Sequence, residues 1–183
     1  MTIPLSPCSI DLLIASALLP ATPVLALDAP SLPGGASSLQ ETYQDWRVAC
    51  RIAAATKRCA LSQQQIRKNG QRVLTIELQT GPNNTITGNL ILPFGLLLDA
   101  GVTPQIDEQS PMAALFFRTC LPVGCIVPAA FDQPVIDRLR AGSALKLTAK
   151  SSNAEQDVTF SISLNGLSAA LDRFAELHQT ASQ

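Results

Sequence analysis

Four cysteines that form two close pairs constrain the fold of this chain more than any other feature of its sequence. Cys50 and Cys59 make one pair, and Cys120 and Cys125 enclose the segment Leu-Pro-Val-Gly. An even number of cysteines in an exported chain predicts two disulfides, for which three connectivities are possible. We favour the local bridges Cys50–Cys59 and Cys120–Cys125, because each closes a short loop. Each bridge contributes about 2–3 kcal/mol through loop-closure entropy.

A zinc site and a redox-active dithiol are the alternative uses of these cysteines. Their spacings are C-x8-C and C-x4-C, which fit poorly with the two-residue knuckles of structural zinc sites. The C-x-x-C motif of dithiol oxidoreductases does not occur in the sequence. We therefore expect stapled turns, with no metal and no cofactor.

The N-terminus has the character of a secretory signal. Residues 10–27 are mostly apolar, and Val24-Leu25-Ala26 offers small or modest side chains where a signal peptidase reads. We predict a signal peptide over 1–26, whose cleavage also removes the fifth cysteine, Cys8. The positive charge that normally precedes the apolar segment is missing, because the first basic residue is Arg47.

An uncleaved membrane anchor is the competing interpretation of this segment. Pro20 and Pro23 interrupt it, and a membrane span needs about 20 predominantly apolar residues. We therefore expect no stable membrane span after cleavage. The predicted location is periplasmic, associated with the outer membrane, or secreted.

Composition indicates one globular domain without a nucleic-acid footprint. Hydrophobic residues make up 46% of the 183 residues and charged residues 15%, which suits one buried core. The formal net charge is -1, which gives no electrostatic footprint for nucleic acid or for an anionic membrane surface, so we expect no nucleic acid among the partners. The one dense basic cluster, residues 67–72, surrounds Asn69-Gly70, which predicts a two-residue hairpin turn. A solvated hairpin tip is therefore preferred to a binding patch.

Alternating and apolar segments predict a mainly β fold. Residues 27–42 are rich in Pro, Gly and Ser and predict a flexible leader before a single domain at 43–180. Within that domain we predict about eight strands, over 45–50, 57–66, 72–79, 86–93, 94–102, 113–120, 144–150 and 157–164. Trp46, the only tryptophan, is expected to anchor the core, with a ligand platform as the alternative.

Two helices complete the predicted architecture. Asp132, Pro134 and Gly142 have the residue types of a helix cap, first turn and stop, so a short helix is expected near 132–141. The spacing of apolar residues near 166–178 predicts a C-terminal amphipathic helix. The fold class is therefore an antiparallel β-sandwich or rolled sheet.

Several of these segments resemble the invasion-associated locus B (IalB) family of alphaproteobacteria. The resemblance covers roughly residues 43–178 and is carried by the segments 46–50, 92–95, 120–125 and 161–171, with Cys59 and Gly101-Val102 between them. It implies an exported, mostly β protein of the cell envelope, and some relatives are associated with entry into host cells. The family provides no established catalytic residues to transfer.

Catalytic arrangements find little support in the sequence. The only histidine, His178, falls on the terminal helix, where a solvated side chain is the ordinary role. The carboxylate pairs Asp99 with Asp107 and Glu155 with Asp157 all fall at predicted turns, where acidic residues are common. We therefore predict no catalytic residues.

Two classes of function remain open. The first is a non-enzymatic binding or adhesion module whose partner is an unknown envelope or host protein. The second is a small periplasmic ligand-binding protein or enzyme with a site that the sequence does not display. A concave pocket with convergent polar groups would favour the second class. An exposed apolar patch or an unprotected edge strand would favour the first.

Overall fold

A computed structural model describes residues 31–70, 72–82, 85–154 and 156–179. The predicted signal peptide lies outside the described residues. The strands are β1 (Ser38–Tyr43), β2 (Trp46–Ala53), β3 (Thr56–Ile66), β4 (Arg72–Thr80), β5 (Ile86–Leu92), β6 (Val102–Ile106), β7 (Thr119–Leu121), β8 (Gly124–Phe131), β9 (Ala144–Lys150) and β10 (Asp157–Ser163). The helices are α1 (Gln133–Ala141) and α2 (Leu167–Gln179), and a short 3-10 helix spans Pro33–Gly35.

The strands form two antiparallel sheets. One has the order β1-β2-β3-β4-β5-β8-β7, and the other has the order β10-β9-β6. Buried side chains from both sheets and both helices belong to one hydrophobic core. The mainly β antiparallel class is therefore confirmed, with ten strands in the described part of the chain instead of about eight.

The alternation in β2 is the clearest link between sequence and core. Trp46, Val48 and Cys50 are all at most 3% exposed, whereas the residues between them are not buried. The Trp46 indole Nε1 donates a hydrogen bond of 2.9 Å to the backbone oxygen of Ser163 in β10. The ring therefore joins the seven-stranded sheet to the edge of the three-stranded one, as its predicted role of core anchor requires.

Glutamine side chains of β3 occupy the place of a missing strand beside β10. Gln63 is 7% exposed, and its amide donates to the Ser163 oxygen at 2.8 Å and accepts from the Ser163 nitrogen at 3.2 Å. Gln65 donates to the oxygen of Ser161. Because one side-chain amide carries a donor and an acceptor, it reproduces both hydrogen bonds of a strand partner.

Gln63→Leu is expected to lower the free energy of unfolding by about 1–3 kcal/mol, because the partly buried nitrogen of Ser163 loses its acceptor. Gln64→Leu is the matched control, since Gln64 is the exposed neighbour on the opposite face of β3. It should change the stability by less than about 0.5 kcal/mol. Urea denaturation of the three proteins measures the difference. Equal stabilities for the two variants would contradict this assignment.

Helix α1 begins and ends where the sequence predicts. The Asp132 carboxylate accepts from the Val135 nitrogen at 3.1 Å, and a proline stands in the first turn. Gly142 is the C-cap and ends the helix as predicted, with φ -83 instead of the left-handed conformation common at such glycines. A Cβ at Gly142 would lie 2.8 Å from Ile106 Cγ2 and 3.0 Å from Leu164 Cδ1. The glycine is therefore required for close packing, not for its conformation.

Helix α2 covers β2 and β3 with the apolar face that its spacing predicts. The residues on this face are at most 6% exposed: Leu167, Ala170, Leu171, Phe174 and Leu177. These side chains pack against the same core as Trp46. The helix therefore closes the open face of the first strands.

The predicted flexible leader is too long at its C-terminal end. Residues 38–42 belong to β1, which pairs with β2, and Leu32 is only 3% exposed. Glu41 of β1 forms a two-pronged ion pair with Arg173 of α2, with Oε2 2.8 Å from Nε and Oε1 2.9 Å from Nη2. The Tyr43 hydroxyl also donates to Glu41 at 2.8 Å. Composition alone suggested a linker, because Arg173, the residue that pairs with Glu41, lies far away in the sequence.

The Glu41 ion pair makes the stability depend on pH. The hydrogen bond from Arg173 holds the pKa of the Glu41 carboxyl below its ordinary value, against the opposing effect of burial. Burial, and next the hydrogen bond to Glu41, raises the pKa of Tyr43. A carboxylate whose pKa is lowered by folding stabilises the fold most above its unfolded pKa of about 4.3, and this stabilisation is lost as pH falls through the folded pKa.

Glu41→Gln is expected to cost about 1–2 kcal/mol of stability at pH 7. The difference from the wild type should shrink as the pH falls through the folded pKa of Glu41, because the protonated carboxyl then resembles the amide. Glu176→Gln is the control: Glu176 bonds the same arginine at 3.1 Å, but its side chain is 65% exposed. It should cost under about 0.5 kcal/mol. Chemical denaturation at several pH values measures both, and a pH-independent gap for Glu41→Gln would contradict the assignment.

Three local predictions are wrong. Residues 94–101 form turns with one isolated bridge, Leu96 to Ser151, instead of a strand. In 113–120 only the bridge at Leu115 and the start of β7 are paired. Ile66 pairs with Arg72, so the connection between β3 and β4 is longer than a two-residue turn. In the first two segments a short apolar run was mistaken for a strand.

Candidate interaction surface

Three connections meet at one end of the seven-stranded sheet. Ile66 pairs with Arg72 across the β3–β4 connection, and Leu92 pairs with Cys125 where β5 ends and β8 begins. Thr75 pairs with Ile91, so β4 begins at the end of the sheet where β5 finishes. The register therefore places the β3–β4 turn, the turn after β5 and the β7–β8 turn side by side.

Four large apolar side chains are exposed on these connections. Their exposed fractions are 58% for Ile66, 60% for Phe94, 49% for Leu121 and 53% for Val123. Together with Arg72 they define what we term the loop-end surface. Large apolar side chains exposed at the same end of a domain are a marker of an interaction site.

Two shallow depressions flank Phe94. One is lined by Arg72, Pro93, Phe94 and the turn 122–124. The other is lined by Arg67, Arg72, Phe94 and residues of β10 and the β9–β10 connection. Both are open to solvent, so Phe94 protrudes between them as a knob.

The connections at this end of the seven-stranded sheet carry positive charge. Residues 66–72, 93–95 and 118–125 contain Arg67, Lys68, Arg72 and Arg118 but no Asp or Glu. Acidic groups begin farther along the outer face of the sheet, where a polar groove shared with Arg72 is lined by Asp45 and Glu77. The loop-end surface thus combines apolar tips with basic flanks.

The Cys120–Cys125 disulfide holds the β7–β8 turn in place. The two cysteines are directly opposite each other in the strand register and are bonded in the structure. Gly124 has φ +135, and a Cβ there would lie 2.5 Å from the Leu92 backbone oxygen. The bridge and this close approach fix the position from which Leu121 and Val123 project.

The second disulfide lies toward the other end of the sheet. Cys50 and Cys59 are paired across β2 and β3 and are bonded. Both structural bridges therefore match the local connectivity favoured from the sequence. Cys50 is 3% exposed and belongs to the core.

Two of the acidic residues weighed for catalysis, Asp107 and Asp157, have structural contacts. The Asp107 carboxylate accepts from the backbone nitrogens of Ser143 and Ala144, at 2.9–3.1 Å. Asp157 forms an ion pair of 3.1 Å with Lys150, and Glu155 lies outside the described residues. In the described part of the chain, no group of three or more His, Cys, Asp or Glu side chains is arranged to hold a metal ion.

His178 lies on α2, where it is exposed and its ring centroid is 6.1 Å from that of Phe174. The hydroxyl of Thr75 is the one buried side-chain polar atom without a hydrogen bond among the described residues. Neither residue is accompanied by the nucleophile, base and oxyanion donors that acyl transfer needs. The distinctive feature of the loop-end surface is therefore its exposed apolar side chains.

Comparison with known proteins places the chain in a family. The family model described as "Invasion associated locus B (IalB) protein" matches residues 46–175. This chain belongs to the invasion-associated locus B family. The matched range runs from the first residue of β2 into α2 and includes the whole loop-end surface.

Relatives of the chain share most of its length. An invasion protein B homologue of Brucella abortus strain 2308 is 44% identical over 154 residues, which cover 84% of this chain and 88% of the relative. Invasion protein B of Bartonella bacilliformis is 36% identical over 152 residues, which cover 81% of each chain. The crystal structure of invasion associated protein b from Bartonella henselae matches with a TM-score of 0.73 and 34% identity, covering 77% of this chain and 97% of that one.

The structure adds to this family member a surface that sequence reasoning did not assign. The sequence predicts a stapled turn at 120–125 but does not connect it with Ile66, Phe94 and Arg72. The available signal was a phenylalanine in the turn Pro93-Phe94-Gly95, where a buried side chain is unusual.

None of the described helices has the length and apolar character needed to cross a membrane.

Proposed function

We propose that this chain is an exported, non-enzymatic protein of the cell envelope that binds its partner through the loop-end surface. The observation that carries the proposal is the exposure of Ile66, Phe94, Leu121 and Val123 at one end of the domain. Solvated apolar side chains of this size are stabilised when a partner removes them from water. A disulfide beside them keeps two of the four in a fixed position.

The cysteines and the apolar N-terminal segment support the proposed compartment. Two disulfides favour an oxidising location outside the cytoplasm. Cleavage after Ala26 would release the domain without its apolar N-terminal segment. Relatives named invasion protein B support an envelope or host-contact role for this chain as well.

Site-specific photo-crosslinking in intact cells tests the binding role. A photoreactive residue at Phe94 should give adducts, and their yield should fall severalfold when Val123→Ser is introduced. The control is the same probe at Phe116, which is 63% exposed but lies beside Gly101 and lines neither depression. Equal adduct yields at both positions would contradict the proposal.

N-terminal sequencing tests export separately. The protein recovered from a periplasmic extract is expected to begin at Leu27. Recovery of a chain that retains Met1, in the cytoplasmic fraction only, would contradict the proposed location.

A further inference from the structure

We infer that the partner of the loop-end surface is an anionic phospholipid bilayer, into which the apolar tips insert while the basic side chains meet the headgroups. This inference rests on the proposed function and names the chemistry of its partner. It is carried by three features: the shape of the surface, the arrangement of its charges, and the rigidity of its turns.

The shape of the surface favours insertion over the capture of a peptide. Peptide-binding grooves present concave apolar pockets that receive the anchors of the ligand. Here the apolar groups project outward, and Phe94 stands between two open depressions. Side chains that protrude from neighbouring turns can enter the boundary between headgroups and acyl chains without any rearrangement of the backbone.

The charges are placed where lipid phosphates would lie. Arg72 lines both depressions beside Phe94, and Lys68 is exposed on the same β3–β4 connection. The salt bridges formed among the described residues include neither of them. A basic side chain near an anionic bilayer gains attraction that falls off within a Debye length. The acidic Asp45 and Glu77 line neither depression at the tips; they line the outer-face groove, which Ile66 and Arg72 also border.

Two of the three turns are tied down, which lowers the cost of ordering them on a surface. The Cys120–Cys125 bridge fixes the turn that carries Val123. The turn after β5 is tied to the second sheet, because the Ser152 nitrogen donates to the Gly95 oxygen at 2.9 Å and the Leu97 nitrogen donates to the Lys150 oxygen at 2.8 Å. The turns that carry Phe94 and Val123 are therefore preorganised.

Vesicle cosedimentation with the full chain, as it is recovered from cells, tests the inference. Binding is expected to vesicles that contain phosphatidylglycerol, and about tenfold weaker binding to pure phosphatidylcholine. Phe94→Ser with Val123→Ser should weaken binding about tenfold or more, and Arg72→Gln about fivefold. Raising the salt concentration from about 0.05 to 0.5 M should weaken binding of the wild type more than that of Arg72→Gln.

Two control variants keep the N-terminus and the fold of the wild type and are changed outside the loop-end surface. Phe116→Ser changes an equally exposed phenylalanine outside the depressions, and Arg51→Gln changes an exposed arginine of β2 away from the loop-end surface. Both should bind vesicles like the wild type. Binding that is insensitive to Phe94→Ser with Val123→Ser, or that falls equally in the controls, overturns the inference.

The outcomes separate this inference from the proposed function. Absence of vesicle binding, with Phe94 crosslinks to a protein that are lost in Val123→Ser, overturns the lipid partner and leaves the interaction role intact. Absence of both vesicle binding and Phe94-specific crosslinks overturns both. Phe94 crosslinks to lipid, together with vesicle binding that depends on Phe94 and Arg72, support both.

Discussion

Gly166→Ala is expected to lower the free energy of unfolding by about 3–5 kcal/mol. Gly166 precedes α2 with φ +86, and a Cβ at this position would lie 2.1 Å from the backbone oxygen of Tyr43. Backbone cannot move away as a flexible side chain can, so the connection into α2 must separate from the β1–β2 turn. The contact between Asn165 and Gln44, with a 2.8 Å hydrogen bond, would be disturbed as well.

The matched control for this change is Gly95→Ala. Gly95 has nearly the same backbone angle, φ +88, but a Cβ there meets nothing within 4 Å. It should therefore cost only the conformational penalty of about 1–2 kcal/mol. The difference between the two variants in thermal or urea denaturation isolates the steric contact with Tyr43. Equal losses would show that this close approach does not exist in solution.

Trp46→Ala is expected to cost about 3–5 kcal/mol, because it empties the largest side-chain volume of the core. Trp46→Phe keeps much of the ring but removes the hydrogen bond to Ser163. Since the oxygen of Ser163 still accepts from Gln63, it is not left without a partner, and the cost should be about 1–2 kcal/mol.

Circular dichroism is the appropriate probe for this series, because Trp46 is the only tryptophan and its fluorescence is lost in both variants. A loss below about 1 kcal/mol for Trp46→Ala would contradict a core role. That outcome would revive the alternative of a ligand platform, and ligand binding should then be impaired instead of stability.

Prediction from sequence succeeded where the residues of a segment themselves indicate which side chains are buried or capped. Strand β2 alternates because one face is buried, and α1 begins at an aspartate that caps its own first turn. The disulfides could be assigned because each pair is close in the sequence. For the helix cap and the two disulfides, the determining partner lies within about ten residues.

Prediction failed where the determining partner is distant. The half-buried Glu41 of β1 is acceptable only because Arg173 faces it across 132 positions. The apolar run after Pro93 was assigned to a strand, although Gly95 turns the chain there and Phe94 is exposed. The loop-end surface was not predictable for the same reason, since strand register alone brings Ile66, Phe94 and Val123 to one end.

The contacts of Ser163 with Trp46 and Gln63 have a consequence for the order in which the domain is completed. They join residues 117 and 100 positions apart, and the Glu41–Arg173 pair spans almost the entire domain. A chain that is synthesised from its N-terminus can pair strands β1 through β5 with one another. It has nothing with which to cover Trp46 until β10 and α2 have been synthesised. Such long-range closure slows folding and keeps unfinished chains open. An incomplete chain therefore remains unfolded enough to be threaded through a narrow channel. It also remains open to degradation until nearly the last turn of α2 is available.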